Sequence, residues 1–87
     1  MHEFSLINDL MRKIDEIARE HGARKVVRVK VRVGALSHLS PDHFREHFQA
    51  AATGTIAEAA RLEIVTVRDE RDPCAQDILL ETVELEY

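Results

Sequence analysis

Val27-Arg28-Val29-Lys30-Val31-Arg32-Val33 alternates a β-branched residue with a cation at every step. Successive side chains of an extended chain point to opposite faces. Strict period-two alternation therefore reads as a strand with one buried apolar face and one solvated, cationic face. Gly34 ends the run. Upstream, Leu6, Ile7, Leu10, Met11, Ile14, Ile17 and Ala18 recur at helical spacing, with Asp9, Arg12, Lys13, Asp15, Glu16 and Arg19 between them. That pattern is an amphipathic helix with a single apolar stripe. Ser5 is expected to cap its start through its hydroxyl. His21 and Gly22 end it, a cation-capable residue and then a left-handed stop.

Downstream, Ser40-Pro41-Asp42 signals a second helix: a capping hydroxyl, a proline suited to the first helical position, and an acid near the positive end of the dipole. Phe44, Phe48, Ala51 and Ala52 supply its buried stripe, and Thr53-Gly54 closes it. Residues 61–68 read as a second strand with Leu62, Ile64 and Thr66 on one face. Residues 69–77 are polar, contain Pro73 and lack periodicity, which marks a loop. Residues 78–87 return to strand character, with Val83, Leu85 and Tyr87 alternating with Glu84 and Glu86. The order α-β-α-β-β predicts an α/β fold of the α+β two-layer kind, a three-stranded mixed sheet covered on one face by two helices. Arg28, Lys30 and Arg32 on the first strand and Glu84 and Glu86 on the last predict that these two strands are neighbours.

Composition limits the function classes. The chain has 87 residues, 45% apolar and 32% charged, with a net charge of −4. This is one small domain with a marginal core, since a chain near this length buries only about 60% of its unfolded surface. The acidic balance argues against a nucleic-acid binder. No apolar run approaches a membrane span and no signal peptide opens the chain, so the expected location is cytoplasmic. A single cysteine, Cys74, excludes an internal disulfide and a four-cysteine zinc site. No nucleophile–base arrangement or phosphate-cradling loop can be argued, so no enzymatic activity is expected. His43 and His47 stand four apart on the second helix with Asp42 and Glu46 alongside. They read first as a solvated helix face and second as a metal-clamping pair. His21 and His38 read as surface residues, His21 satisfying carbonyls at a helix end. Cys74 reads as an ordinary loop cysteine before it reads as a reactive thiol or an intermolecular ligand.

Three stretches, in order, resemble the HypA/HybF family of nickel chaperones. Met1-His2-Glu3-Phe4-Ser5-Leu6 is similar to the family's Met-His-Glu-x-Ser-Leu start. Val33-Gly34-Ala35-Leu36-Ser37, followed by Pro41, Phe44 and Phe48, resembles its strand exit and second helix. Gly54-Thr55 with Ala57-Glu58 and Ala60, ahead of Leu62-Glu63-Ile64, resembles its Gly-Thr-x-x-Glu segment before a Leu-x-Ile strand. The chain departs from the family at two places. Glu46 stands where the pattern usually has an aromatic, and residues 69–77 stand where members insert a module with two Cys-x-x-Cys pairs. The resemblance therefore implies a nickel-binding-like domain over residues 1–87, with no structural zinc.

The terminal residues suit that cargo. A free amine on Met1, the amide nitrogen of His2 and the His2 imidazole can wrap one ion in fused small chelate rings. Glu3 offers a fourth donor through its amide nitrogen or its carboxylate. Planar nitrogen donors favour Ni(II) or Cu(II). An amine with a reference pKa of about 7.7–8.0 must lose a proton to bind, so affinity should fall in mild acid. The implied role is a metallochaperone delivering Ni(II) from Met1, His2 and Glu3 to a [NiFe]-hydrogenase large-subunit precursor, with a maturation GTPase as helper. The alternative is a zinc-less paralogue acting as a non-catalytic structural or regulatory subunit of a larger complex. A small core and a terminal strand that can serve as a sheet edge make homo-oligomerisation compatible with either role.

Overall fold

The structure, a computed structural model, describes residues 3–34, 40–69, 71 and 78–87, with the side chains of residues 3–5 left out. Its elements are α1 (Glu3–Glu20), β1 (Lys25–Val33), α2 (Pro41–Ala52), β2 (Arg61–Thr66) and β3 (Ile78–Glu86), the expected order. The strands form one mixed sheet ordered β2-β1-β3. β1 runs parallel to β2 and antiparallel to β3. The strand with the strictest alternation is thus the central one. The expected adjacency of the first and last strands holds.

The helices end as their sequences indicate, with one difference at each end of α1. The helical backbone is already formed at Glu3, so Ser5 lies within the first turn rather than capping it. Its N–H is still among the four that have no intrahelical acceptor. At the other end, Gly22 takes φ +65°, its N–H donates to the Arg19 carbonyl at 3.1 Å, and the Ala23 N–H donates to Ala18 at 2.9 Å. This is a Schellman closure. Backbone groups, rather than the His21 ring, satisfy those carbonyls. Ser40 caps α2, accepting from the His43 N–H at a long 3.5 Å, with Pro41 following it. Gly54, at φ +82°, turns the chain after Thr53.

The core is apolar throughout. Ile7 and Ile14 of α1, Val26, Val29 and Val31 of β1, and Phe44 and Phe48 of α2 are each at most 1% exposed. The two phenylalanine rings sit 6.4 Å apart and tilted. Among the described residues, no polar or charged side chain is buried. The buried face of β1 differs from simple alternation at its start: Val26, not Val27, joins Val29, Val31 and Val33. The cause is a bulge. Val26 pairs with Leu85 but Arg28 pairs with Glu84, so Val27 is an extra residue in β1. A second irregularity follows, where Lys30 pairs with Thr82 and Val31 with Leu80, leaving Glu81 extra in β3. It switches the core-facing set of β3 from Ile78 and Leu80 to Val83 and Leu85. Tyr87 lies beyond β3 and is 69% exposed, and Thr66 is exposed at the end of β2.

On the open face, the cations of β1 meet acids from both neighbouring strands. Arg28 Nε lies 2.7 Å from Glu84 Oε2, as an ion pair whose N–H is not aligned for a hydrogen bond. Lys30 approaches Glu63 of β2, and Arg32 approaches Glu81 of β3, each at 3.7 Å. Glu86 is taken by Arg24, just ahead of β1, at 2.9 Å. These pairs are half-exposed, where each contributes at most about 1 kcal/mol. A double-mutant cycle on Arg28→Ala and Glu84→Ala, read by urea denaturation, should therefore give a coupling of roughly 0.2–1 kcal/mol. In the same assay Ile14→Ala should cost about 2–5 kcal/mol, because it empties a fully buried site. Leu79→Ala, at 38% exposure on the open face, should stay within about 0.5 kcal/mol of the parent.

Candidate metal centre

The candidate ligands divide by position. Met1 and His2 lie outside the described residues, as do His38 and Cys74. Glu3 is the first residue of α1. That helix is anchored by Ile7, Leu10, Ile14 and Ala18 against the sheet and α2, so its first turn is an ordered support for whatever precedes it. The first-turn N–H groups of a helix also carry partial positive charge, which favours a carboxylate at that end. An acid at position 3 suits that end.

His43 and His47 lie on α2, His43 exposed and His47 half-buried. The setting of α2 explains that division. Phe44, Phe48 and Ala52 face the core, which turns the His43–His47 row onto a flank of the helix. Arg45 occupies the other flank, where its Nη1 donates to the Leu62 carbonyl of β2 at 2.7 Å. The sequence reading did not assign this contact; an arginine beside a buried phenylalanine gives no signal of which strand lies within reach. Among the described residues, no group of three or more His, Cys, Asp or Glu side chains comes together as a metal site. His21 is exposed at the end of α1.

The Gly-Thr segment that carries part of the resemblance does structural work. Thr55 Oγ1 donates to the Ala52 carbonyl at 2.7 Å and accepts from the Ala57 N–H at 3.1 Å. The Ile56 carbonyl then accepts from the Val26 N–H of β1 at 3.0 Å, and Ala57 is buried. Thr55 thus folds the α2–β2 connection against the start of the central strand. The recesses beside it do not resemble a catalytic cleft. One is lined by Arg24, Lys25, Glu58 and Glu86, whose charges include the Arg24–Glu86 ion pair. Another is an apolar seam between Met11, Ile14, Ile56 and Ala57.

The chain matches a family model described as hydrogenase/urease nickel incorporation, metallochaperone, hypA, over residues 1–83. It is 42% identical over 67 residues to a hydrogenase maturation factor HypA of Acidithiobacillus ferrooxidans, covering 77% of this chain and 59% of that protein. The corresponding protein of Methylocella silvestris is 37% identical over 83 residues, covering 93% of this chain and 74% of that one. The chain spans about three fifths of the length of several such relatives, 59% in the first case and 62% for Rhizobium leguminosarum bv. viciae. The solution structure of the Ni metallochaperone HypA from Helicobacter pylori superposes with a TM-score of 0.82 at 20% identity, over 99% of this chain and 98% of that one, which shows a shared fold. With the family model matching nearly the whole chain and relatives above 40% identity, this chain belongs to the HypA family.

Proposed function

We propose that this chain is a nickel carrier in [NiFe]-hydrogenase maturation, holding Ni(II) through Met1, His2 and Glu3. The observation that carries the reading is that the family match begins at Met1 and so takes in all three residues. In a protein that begins at Met1, the amine, the His2 amide nitrogen and the His2 imidazole form a compact planar donor set, and Glu3 closes it. Because α1 starts at Glu3, the donors lead straight into an ordered helix. Ordering the helix beforehand leaves fewer torsions to fix when the ion binds.

The proposed partners are a maturation GTPase and the hydrogenase large-subunit precursor, in the cytoplasm. The carrier is non-catalytic, and self-association is compatible with it. Within residues 1–87 we propose no structural zinc: a two-Cys-x-x-Cys module cannot be built from Cys74 alone. The domain would then work as a nickel-binding unit whose β2 and β3 are joined directly by residues 67–77.

Binding of Ni(II) to these donors releases protons, so apparent affinity weakens progressively as pH falls below the amine's reference pKa of about 7.7–8.0 and should be lost in mild acid. Isothermal titration near neutral pH should show one tight Ni(II) site in the unmodified chain, weakened at least tenfold by His2→Ala or by a few residues added before Met1. An unchanged affinity in both would sink the carrier reading and leave the structural-subunit alternative. Metal analysis of the purified chain should find no tightly held zinc.

A further inference from the structure

We propose that the outer edge of β3 takes an extended segment of another polypeptide, alternating apolar and basic residues, as a fourth strand of the sheet. The inference goes beyond the nickel reading and does not rest on it. β3 stands at one end of the order β2-β1-β3, so one side of its backbone is paired with β1 and the other presents a row of unpaired N–H and C=O groups. β2 is the opposite edge, and the fold blunts it. That strand has six residues, and Arg45 reaches across from α2 to donate to its Leu62 carbonyl. β3 runs for nine residues with no comparable cover among the described residues.

Two independent features define the chemistry of the occupant. The first is apolar surface. Among the described residues the exposed large hydrophobic side chains are Leu79, at 38%, and Tyr87, at 69%, one on β3 and one at its end. On the helix side, Ile78, Leu80, Val83 and Leu85 are only half-buried. There Ile78 and Leu80 border a recess of about 200 Å³ with Leu6 and Leu10 of α1. An added strand lays alternate side chains over that side, since residues two apart share a face. The second feature is charge. Glu81, Glu84 and Glu86 are exposed along β3, each paired on one side with a cation on or just ahead of β1. A carboxylate has about four lone-pair sites, so these acids can accept further cations from the unpaired side. Opposite charges across two strands stabilise the pairing, and like charges destabilise it. A second copy of β3 would set its own three acids alongside these, which disfavours pairing between copies. A strand with arginine or lysine at those positions meets them favourably. Main-chain bonds then supply affinity and the alternate side chains selectivity, as in strand addition at other sheet edges.

The probe is a short blocked peptide alternating valine and arginine, titrated to millimolar concentration into the metal-free whole chain and followed by amide NMR. Shifts should centre on residues 78–87 and on Leu6 and Leu10, and amide exchange should slow along β3 while β2 is unchanged. The matching peptide of valine and glutamate should bind about tenfold more weakly, and Glu84→Lys should weaken the basic peptide by about the same factor. Leu79→Ala should weaken it too, with the stability of the chain unchanged. Glu84→Gln serves as the second variant should the reversal disturb β1 through Arg28, with unperturbed α2 resonances reporting an intact fold. No shift on β3, equal binding of the two peptides, or shifts centred on β2 overturns the proposal. So does a chain whose mass doubles with concentration in sedimentation while exchange along β3 slows, because a second copy is then the occupant. No metal is present in these measurements, so a negative result leaves the terminal carrier site standing.

Discussion

β1 is hydrogen-bonded on both sides, parallel to β2 and antiparallel to β3, so its register decides where the apolar residues of both neighbours fall. Val29 pairs with Leu62 on one side and Val83 on the other, and Val31 with Ile64 and Leu80. A one-residue slip would turn that valine face to water and bring Arg28, Lys30 and Arg32 under the helices. The hydrophobic term therefore supplies the stability, since Val29 and Val31 are fully buried. The half-exposed ion pairs on the reverse face add little energy individually. Their contribution is selective: a displaced register would separate Arg28 from Glu84 and Lys30 from Glu63.

That division explains what was legible in the sequence. The alternation in residues 27–33 and the helical spacing of Ile7, Leu10 and Ile14 are direct consequences of burial, and both elements appear where those patterns place them. Opposite charge on the first and last strands located β3 beside β1 because cross-strand neighbours must tolerate each other. The bulge at Val27 was not legible. Val26 and Val27 are equally apolar, so the pattern cannot say which of them faces inward. The Ile56 carbonyl, bonded to the Val26 N–H, marks the place where the strand meets the α2–β2 connection. Ser5 misled for a related reason: a good capping residue does not stop a helix from starting earlier. At the candidate centre, the His43–His47 spacing was readable from the helical period, while the flank on which it lies required the Phe44 and Arg45 contacts.

The two helices do not cover the sheet evenly. Val26, Val29 and Val31 are sealed, whereas Ile78, Leu80, Val83 and Leu85 of β3 pack against the core but are only half-buried. An 87-residue chain has limited apolar surface with which to cover three strands, and here it is concentrated on the central one. β2 gains support from Arg45, and the start of β1 from the Thr55 turn. The family signature around Gly54-Thr55 thus belongs to the scaffold, while the signature at Met1-His2-Glu3 belongs to the proposed chemistry.

A carrier must bind an ion firmly and still release it, and the distribution of polar groups in this fold suits that demand. The residues that make up the core, among those described, are all apolar, so the packed interior offers no ligand set to a metal ion. Moving an ion into such an interior would carry a desolvation cost that a domain of marginal stability could not sustain. The proposed ligands, Met1, His2 and Glu3, instead stand at the entry to α1, which begins at Glu3. Uptake and release at such positions require no opening of the sheet. In the proposed carrier their rates would be governed by proton competition at the ligands and by the recipient's donors rather than by unfolding, with the packed face of β1 left sealed.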